Sequence, residues 1–284
     1  MSGTLYVVAT PIGNLEDITL RALRVLREVD LIAAEDTRRT ARLLSHHAIP
    51  SRTVSFHEHN TRSRVPRLIE RLEAGENVAI VTDAGTPGVS DPGLELVQAA
   101  IERGIAVDPI PGASAPLTAL IASGFPMVPF TVFGFAPSRA KARSQWLEAV
   151  AQTHHTFSFF EAPHRIQQTL REAHLLFGER PIVAARELTK VHQEFLRGTA
   201  PELATRISEP RGEFTVIVGP TVKQQKINDI CLTDAQVSAE FWRITNNIGG
   251  SRRAVISQLA KKCGRSARDI YSAIERAKNV GRIT

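Results

Sequence analysis

Cysteine is scarce in this sequence, because its 284 residues contain only Cys231 and Cys263. The two do not form a CxxC motif, and no histidine pattern accompanies them. A disulfide framework and a zinc site are therefore not expected, and we predict no metal site. Such cysteine usage fits a reducing compartment, so we expect a cytoplasmic protein.

Long apolar runs are also lacking. No segment approaches the ~20 residues that a membrane-spanning helix needs. The first ten residues lack the basic region of a signal peptide and instead have the pattern of a strand. We therefore expect no membrane association. Hydrophobic residues nevertheless make up 43% of the chain, which is enough to form cores and argues against disorder.

Charge is distributed unevenly along the chain, whose formal net charge is +6. Residues 221–284 contain 12 lysines and arginines against 5 acidic residues, whereas the first 220 residues contain 23 against 24. The excess positive charge therefore belongs to the C-terminal segment. This asymmetry predicts that the segment contacts a polyanionic partner.

Apolar, strand-like runs alternate with helical patterns over residues 1–124, the predicted N-terminal α/β domain. The predicted strands are Leu5–Ala9, Leu31–Ala34, Thr53–Phe56, Val78–Thr82 and Ala106–Ile110. Such alternation is typical of a mostly parallel sheet covered by helices. Glycine and prolines at 124–129 interrupt the pattern and mark the boundary of this domain.

A second α/β domain is predicted for residues 125–220. Its candidate strands are Phe130–Phe135, Thr156–Phe160, Ile182–Arg186, Phe214–Val218 and, in a short run, Glu194–Gly198. Residues 221–284 form a third region, in which an exposed linker at 223–226 precedes helical patterns only. Helices at 252–262 and 267–278 flank a glycine turn, which suggests a compact helix-turn-helix-like module.

Glycines and prolines are concentrated in the stretch from Val78 to Gly93. Apolar, β-branched residues predict a buried strand that ends at Asp83, and three glycines and two prolines follow before the next helical pattern. A strand, a small-residue loop and a helix place a ligand at the carboxyl end of a sheet. We interpret the stretch as a ligand-binding loop with Asp83 facing the crevice; the alternative is a rigid turn without a ligand.

Three loops together resemble those of the tetrapyrrole methylase superfamily. They are Ala9-Thr-Pro-Ile-Gly-Asn14, Asp83-Ala-Gly-Thr-Pro87 and Ile110-Pro-Gly-Ala-Ser-Ala115, and the first contains no GxGxxG dinucleotide fingerprint. The resemblance implies two α/β domains that bind S-adenosylmethionine in the cleft between them. It also implies a small C-terminal helical module as an addition to that fold.

Four further segments resemble one branch of that superfamily. They are Ala34-Glu-Asp-Thr-Arg38, His57-Glu-His-Asn60, Phe160-Glu-Ala-Pro-His-Arg165 and Arg186-Glu-Leu-Thr-Lys190. Members of this branch methylate the ribose 2′-oxygen of a 16S rRNA cytidine in the decoding region. The resemblance covers residues 4–219 in order. It implies that the substrate is 16S rRNA in the 30S subunit and that the chain forms a homodimer.

The resemblance also assigns residues to the cofactor cleft. From the first domain it implies Pro11, Asp83, Gly85, Thr86, Ser114 and Ala115, and from the second domain Phe160, Leu188 and Thr215. For Phe160 or Leu188 taken alone, packing in the core explains the residue equally well.

A ribose hydroxyl is a weak acid, so methyl transfer to it gains from positioning and from a general base. Glu58 and His57 are the leading base candidates and Glu35 is the next; alternatively, these groups cap helices or pair with nearby arginines. The predicted substrate contacts are Arg38, Asn60, Arg165, Arg186, Lys190, Arg252 and Arg253. Arg38, Arg165, Arg186 and Lys190 can instead serve as structural ion-pair partners, and the alternative for the basic C-terminal segment is a solvated helical cap.

Two other functions remain open at this point. One is methylation of a precorrin or another tetrapyrrole on the same fold, and the other is a non-catalytic RNA-binding protein of ribosome assembly. The basic C-terminal segment favours RNA over a soluble macrocycle. Retention of Asp83, Gly85, Pro87 and Ser114 favours an enzyme.

Overall fold

The structure is a computed structural model that describes residues 2–88, 91–221, 233–248, 252–263 and 266–280. The chain divides into two compact units, Met1–Thr221 and Val222–Thr284. The predicted linker at 223–226 lies outside the described residues. Among the described helices, none combines the length and the apolar character that crossing a membrane requires.

A wholly parallel five-stranded sheet forms the first half of the larger unit. Its strands are β1 (Thr4–Val8), β2 (Leu31–Ala34), β3 (Thr53–Ser55), β4 (Val78–Val81) and β5 (Ala106–Ile110). They lie in the order β3-β2-β4-β1-β5. Every residue of β2 and β4 is buried, as expected for central strands covered on both faces. The prediction of a mostly parallel sheet is confirmed.

Helices cover both faces of this first sheet. They are α1 (Leu20–Glu28), α2 (Thr37–His46), α3 (Thr61–Glu73) and α4 (Leu94–Glu102), and a further helix, α5 (Ala115–Ile121), follows β5. Leu26 and Leu44 from α1 and α2 belong to one hydrophobic core, whereas Leu72 and Leu96 from α3 and α4 belong to another. Because successive side chains of a strand point to opposite faces, each core takes alternate residues of the sheet.

The second sheet is mixed. Its strands are β6 (Phe130–Phe135), β7 (Thr156–Glu161), β8 (Ile182–Arg186), β9 (Glu194–Gly198) and β10 (Phe214–Val218). The order is β6-β7-β10-β8-β9, with β6 and β7 parallel and the other pairs antiparallel. The short predicted strand at 194–198 is therefore confirmed as an edge strand.

Helices cover both faces of the second sheet as well. On one face lie α6 (Ala140–Ala151), α7 (Ile166–Phe177) and α8 (Ala200–Arg206). On the other face Ala119 and Leu120 of α5 pack against Val183 and Ile217. Since α5 follows directly on the end of the first sheet, this contact joins the two halves of the unit.

The described part of the smaller unit contains three helices: α9 (Asp234–Ile248), α10 (Arg252–Cys263) and α11 (Ala267–Val280). They enclose a core of their own, which includes Phe241, Leu259 and Ile270. The helices predicted at 252–262 and 267–278 are confirmed. Arg276 also pairs with Asp234 at 2.7 Å, which ties α11 to the start of α9.

Candidate active site

Hydrogen bonds join the loops that follow β1, β4 and β5 of the first sheet. The amide of Thr10 donates to the Gly85 carbonyl at 2.8 Å, and the Gly85 amide donates back to Thr10 at 3.0 Å. The Thr86 hydroxyl donates to the Ala113 carbonyl at 3.2 Å. Gly85 has a φ of +84°, which L side chains rarely adopt, so this close turn requires glycine. The three loops are therefore held together at the carboxyl edge of the sheet.

A cavity of about 610 Å³ opens at this edge. The first half of the unit lines it with Ile12, Glu35, Arg39, Asp83, Ala84, Gly85, Thr86, Asp91, Ser114, Ala115 and Pro116. The second half contributes Phe135, Phe160, Glu187, Leu188, Lys190, Gly212, Glu213 and Thr215. The volume is typical of small-molecule sites, which span roughly 300–1,000 Å³.

Five carboxylates line the cavity: Glu35, Asp83, Asp91, Glu187 and Glu213. The backbone amide of Asp83 donates to Glu35 Oε2 at 3.1 Å. Asp83 Oδ1 accepts from the backbone amide of Asp36 at 3.0 Å, and Arg39 lies 3.3 Å from Asp83 Oδ2. Fixed backbone donors and one arginine thus hold the first two carboxylates in place.

The carboxylates also change one another's acidity. Burial raises the pKa of Asp91 to about 7, and the negative charges of Glu35, Asp83 and Glu213 add to that rise. Burial likewise raises the pKa of Glu35, and the charge of Asp83 adds to this rise. The hydrogen bond from the Asp83 amide and the charge of Arg39 oppose it. Carboxylates that repel one another in a partly buried site favour a cationic ligand.

Part of the cavity lining is apolar. Phe160 near the end of β7 and Phe135 at the end of β6 contact each other, with ring centroids 5.1 Å apart. Leu188 is buried, and Ile12 from the first half packs against its cluster. Thr215 lies opposite Phe160 in the register of β7 and β10. Aromatic rings in this arrangement offer a stacking surface for a planar base.

The loop after β8 is pinned to the first loop of the chain. The backbone amide of Asn14 donates to Thr189 Oγ1 at 2.9 Å, and the Thr189 amide donates to Gln193 Oε1 at 2.8 Å. Thr189 has a φ of 65°, which is unusual for a β-branched residue. A Cβ on Gly13 would lie 2.6 Å from the Leu188 carbonyl, so glycine permits this approach. The contact holds Leu188 at the cavity.

Eight predicted cofactor residues line the cavity: Asp83, Gly85, Thr86, Ser114, Ala115, Phe160, Leu188 and Thr215. The ninth, Pro11, is buried and stands between Thr10 and the lining residue Ile12. The structure therefore brings the predicted set together, and the role of each residue toward a cofactor stays a prediction.

Of the three predicted base candidates, Glu35 is the one that lines the described cavity. His57 and Glu58 follow β3, which is two strands away from β4, and neither is among the described lining residues. The predicted substrate residue Asn60 shapes this turn, because its side-chain oxygen accepts from the His57 amide at 2.9 Å. The catalytic roles of His57 and Glu58 remain predictions.

Arg165, a predicted phosphate contact, holds a buried carboxylate. Its guanidinium lies 2.7 Å from Oε1 of Glu161, whose side chain is completely buried. Glu161 also accepts from the Thr169 hydroxyl at 2.6 Å and from the Ala162 amide at 2.8 Å. A buried charge needs such partners, so Arg165 has a structural role here.

Two other predicted substrate arginines also have acidic partners. Arg186 lies 2.6 Å from Glu194 on the neighbouring strand β9. Arg38 pairs with Asp36 at 2.8 Å, although 88% of its side chain is exposed. The Arg38 guanidinium therefore remains accessible to a phosphate, whereas Arg186 is only about a quarter exposed.

The remaining predicted substrate residues lie in three settings. Lys190 lines the cavity and contacts Glu187 at 3.0 Å. Arg252 is exposed in α10, with its guanidinium 5.9 Å from the centre of the Phe241 ring. Arg253 belongs to the same helix, and its side chain lies outside the described part of the chain.

Sequence reasoning missed several lining residues, notably Arg39, Asp91, Glu213 and Phe135. Each follows a pattern that the sequence contains. Phe135 ends β6, Glu213 directly precedes β10, and Asp91 lies in the punctuated loop after β4. Their convergence depends on how the ends of both sheets meet at the cavity, which the sequence pattern did not indicate.

Two α/β halves whose loops share one cavity define a class of proteins that bind a small molecule between two sheets. The sequence model of the family described as Tetrapyrrole (Corrin/Porphyrin) Methylases matches residues 4–204. The chain belongs to this family, and the expected fold class is confirmed.

Similar proteins extend the comparison beyond the family match. The chain is 47% identical over 275 residues to a protein of Halalkalibacterium halodurans named ribosomal RNA small subunit methyltransferase I, covering 95% of this chain and 94% of that relative. It is 41% identical over 273 residues to the Bacillus subtilis protein of the same name, with the same coverage, 95% and 94%. A solved uroporphyrin-III C-methyltransferase of Thermus thermophilus, complexed with S-adenyl homocysteine, has the same fold. Its TM-score is 0.55 at 20% identity, over 78% of this chain and 99% of that one.

Proposed function

We propose that this chain is an S-adenosylmethionine-dependent methyltransferase that modifies the ribose 2′-hydroxyl of a cytidine in 16S ribosomal RNA. The proposal is supported by 47% identity, over nearly the whole chain, to a relative named for small-subunit rRNA methylation. The structural observation that carries it is the cavity shared by the two α/β halves, which is lined by both carboxylates and aromatic rings.

The residues of the cavity fit S-adenosylmethionine. The amine and the sulfonium of this cofactor are cationic, and the carboxyl groups of Glu35, Asp83 and Asp91 lie in the cavity wall, where a bound cation would favour their ionised forms. Phe135 and Phe160 offer an aromatic surface for its adenine. The proposed cofactor contacts remain Pro11, Asp83, Gly85, Thr86, Ser114, Ala115, Phe160, Leu188 and Thr215.

The protein's task is to orient the ribose hydroxyl and to accept its proton. When bound, the cofactor supplies an electrophilic methyl group. Glu35 is placed at the cavity to act as the base, because burial raises its pKa and so strengthens the carboxylate as a proton acceptor. The Asp83 amide holds Glu35 Oε2 and thereby fixes the orientation of the carboxylate. Glu58 and His57 are the other proposed bases, and each would need the RNA to bring its hydroxyl to the end of β3.

Domain organisation supports the choice of RNA as substrate. We propose that residues 1–124 and 125–220 form the two α/β domains and that residues 221–284 bind RNA. The last segment holds 12 basic against 5 acidic residues. Following the resemblance, we further propose that the substrate is 16S rRNA within the 30S subunit in the cytoplasm and that the enzyme acts as a homodimer.

Truncation after Pro220 tests the role assigned to the C-terminal segment. The larger unit has hydrophobic cores of its own, so the truncated chain is expected to fold and to bind cofactor normally. Its affinity for 30S subunits should fall, with a weaker dependence on salt, because fewer phosphate contacts release counterions. Unchanged affinity and an unchanged salt slope would exclude this segment as the RNA anchor.

Alkaline hydrolysis tests the proposed acceptor atom. Base cleaves RNA through attack by the 2′-oxygen, so a nucleotide methylated at that oxygen survives within an alkali-stable dinucleotide. The methylated rRNA, labelled from S-adenosylmethionine, should release its label in such a dinucleotide with cytidine at the 5′ position. Label in mononucleotides would place the methyl group on a base and refute ribose methylation.

A further inference from the structure

A concentration of arginine lies within the nearly neutral part of the chain. Residues 37–67 contain seven arginines and a single acidic residue, Glu58. The arginines are Arg38, Arg39, Arg42, Arg52, Arg62, Arg64 and Arg67. Because the first 220 residues hold 23 basic and 24 acidic groups, this segment departs strongly from its surroundings.

The fold brings six of these arginines to one edge of the first sheet. Helix α2 begins at Thr37, directly after β2, and α3 begins at Thr61, shortly after β3. Since β2 and β3 are adjacent and parallel, both helices begin at the same carboxyl edge, with α2 packed on one side of the sheet and α3 on the other. The first two turns of these helices carry every arginine of the set except Arg52, which precedes β3 at the opposite edge. The cavity opens at the same carboxyl edge.

These side chains are available to a ligand. Arg42, Arg62 and Arg67 are exposed and Arg64 is half-buried. Within the described ranges, no acidic group lies within ion-pair distance of any of these four. Arg39 is 65% exposed, lines the cavity and contacts Asp83 at 3.3 Å, so it connects this surface to the cavity.

We propose that this basic face, defined as Arg39, Arg42, Arg62, Arg64 and Arg67, binds the phosphate backbone of the RNA strand that carries the acceptor nucleotide. The inference rests on the proposed function and identifies where the substrate approaches. Guanidinium groups bind phosphate oxygens in a bidentate manner, and several exposed arginines around one edge of a sheet attract a polyanion. Because the face is built on the same sheet as the cavity, phosphates bound there fix the position of the ribose relative to the cavity.

Charge reversal in the full chain tests the basic face. The test variant is Arg62→Glu with Arg67→Glu, and the matched control is Arg27→Glu with Arg52→Glu at the opposite edge of the sheet. Arg27 and Arg52 are also exposed, so both variants change the net charge equally. Binding is measured with free 16S rRNA and with 30S subunits over a series of salt concentrations, and cofactor affinity and thermal unfolding serve as folding checks.

We expect the test variant to bind RNA at least about tenfold more weakly at low salt. The slope of log affinity against log salt should fall by about 1.5, since each phosphate contact contributes roughly 0.7–0.9. The control should keep the wild-type slope, and both variants should bind cofactor normally. If the test variant fails to fold, Arg62→Gln with Arg67→Gln replaces it and should show a smaller loss of the same sign.

Equal losses in the test and control variants would reflect general electrostatics and overturn the proposal, as would unchanged binding by the test variant. Failure of the proposed function looks different. A wild-type chain that binds rRNA with the expected salt slope but transfers no methyl group would refute the proposed reaction and retain the face. A wild-type chain that methylates rRNA, together with a test variant that binds normally, would refute the face alone.

Discussion

The backbone amide of Asp83 donates a hydrogen bond of 3.1 Å to Glu35 Oε2. This bond joins the ends of the adjacent strands β2 and β4 at the cavity. The Asp83 carboxylate completes the link by accepting from the Asp36 amide at 3.0 Å. Each carboxylate is thus fixed by the loop that bears the other, so a change in one should alter the position of its neighbour.

Substitutions at Gly85 and Asp83 test the cofactor site. Gly85→Val places a β-branched residue at a φ of +84°, which costs about 1–3 kcal/mol. We expect calorimetry to show cofactor affinity reduced about tenfold or more in Gly85→Val and in Asp83→Ala, with folding retained. Gly104→Ala is the matched control, because Gly104 also has a positive φ (+65°) but lies outside the described lining residues. Normal affinity in both site variants would remove the cavity from consideration as the cofactor site.

Glutamine substitutions distinguish the base candidates. Glu35→Gln keeps an oxygen that accepts from the Asp83 amide but cannot take up the proton of a ribose hydroxyl. Because general base catalysis contributes about 10²–10⁴ in rate, single-turnover methylation should fall about 100-fold or more. Glu58→Gln should change it little, since Glu58 is exposed and outside the described cavity lining. The reverse result would assign the role to Glu58, and two unaffected variants would leave positioning as the source of catalysis.

Asp91 should make stability depend on pH. Its pKa is about 7 in the folded chain and ordinarily 3.8, so between these values the folded state binds more protons than the unfolded state. Wild-type stability should therefore fall, relative to that of Asp91→Asn, as the pH rises from about 4 to 7, with no further change above. Urea unfolding of the cofactor-free proteins at several pH values measures this difference. The free energy of unfolding of the exposed control Glu102→Gln should change with pH in the same way as that of wild type. If the difference in stability between wild type and Asp91→Asn did not depend on pH, the raised pKa would be refuted.

Replacement of Arg165 should lower the free energy of unfolding. Arg165→Met removes the partner of the completely buried Glu161, which typically costs about 3 kcal/mol. Adding Glu161→Gln to Arg165→Met should recover part of that loss, because no buried charge is then left without a partner. Arg211→Met is the control, since the Arg211–Glu209 pair is largely exposed. Denaturant unfolding measures all three, and a stable Arg165→Met chain with weakened RNA affinity would restore Arg165 as a phosphate contact.

Much of the fold could be predicted because its signals are local. Apolar runs such as Val78–Val81 are β-branched and short, and helical spacing follows each of them. The glycines and prolines after Asp83 predicted a ligand loop because glycine permits backbone conformations that other residues rarely adopt. The structure has such a conformation at Gly85, whose φ is positive where the loop meets Thr10. Eight of the nine predicted cofactor residues accordingly line one cavity.

The rest depends on contacts distant in sequence. Pairing of Arg165 with Glu161 follows from burial of the end of β7, which charge patterns do not reveal. Asp91 and Glu213 are 122 positions apart in the chain and meet at the cavity only because both sheets end there. The net charge of the first 220 residues did not reveal the arginines of α2 and α3, because acidic residues elsewhere in that part of the chain balance their charge.

Transfer of labelled methyl groups tests the central claim most directly. Purified protein is incubated with labelled S-adenosylmethionine in three parallel reactions. The reactions contain 30S subunits that lack the modification, free 16S rRNA or uroporphyrinogen III. The account predicts label in the 16S rRNA of 30S subunits and none in the tetrapyrrole. Label in the tetrapyrrole and none in either form of rRNA would contradict it.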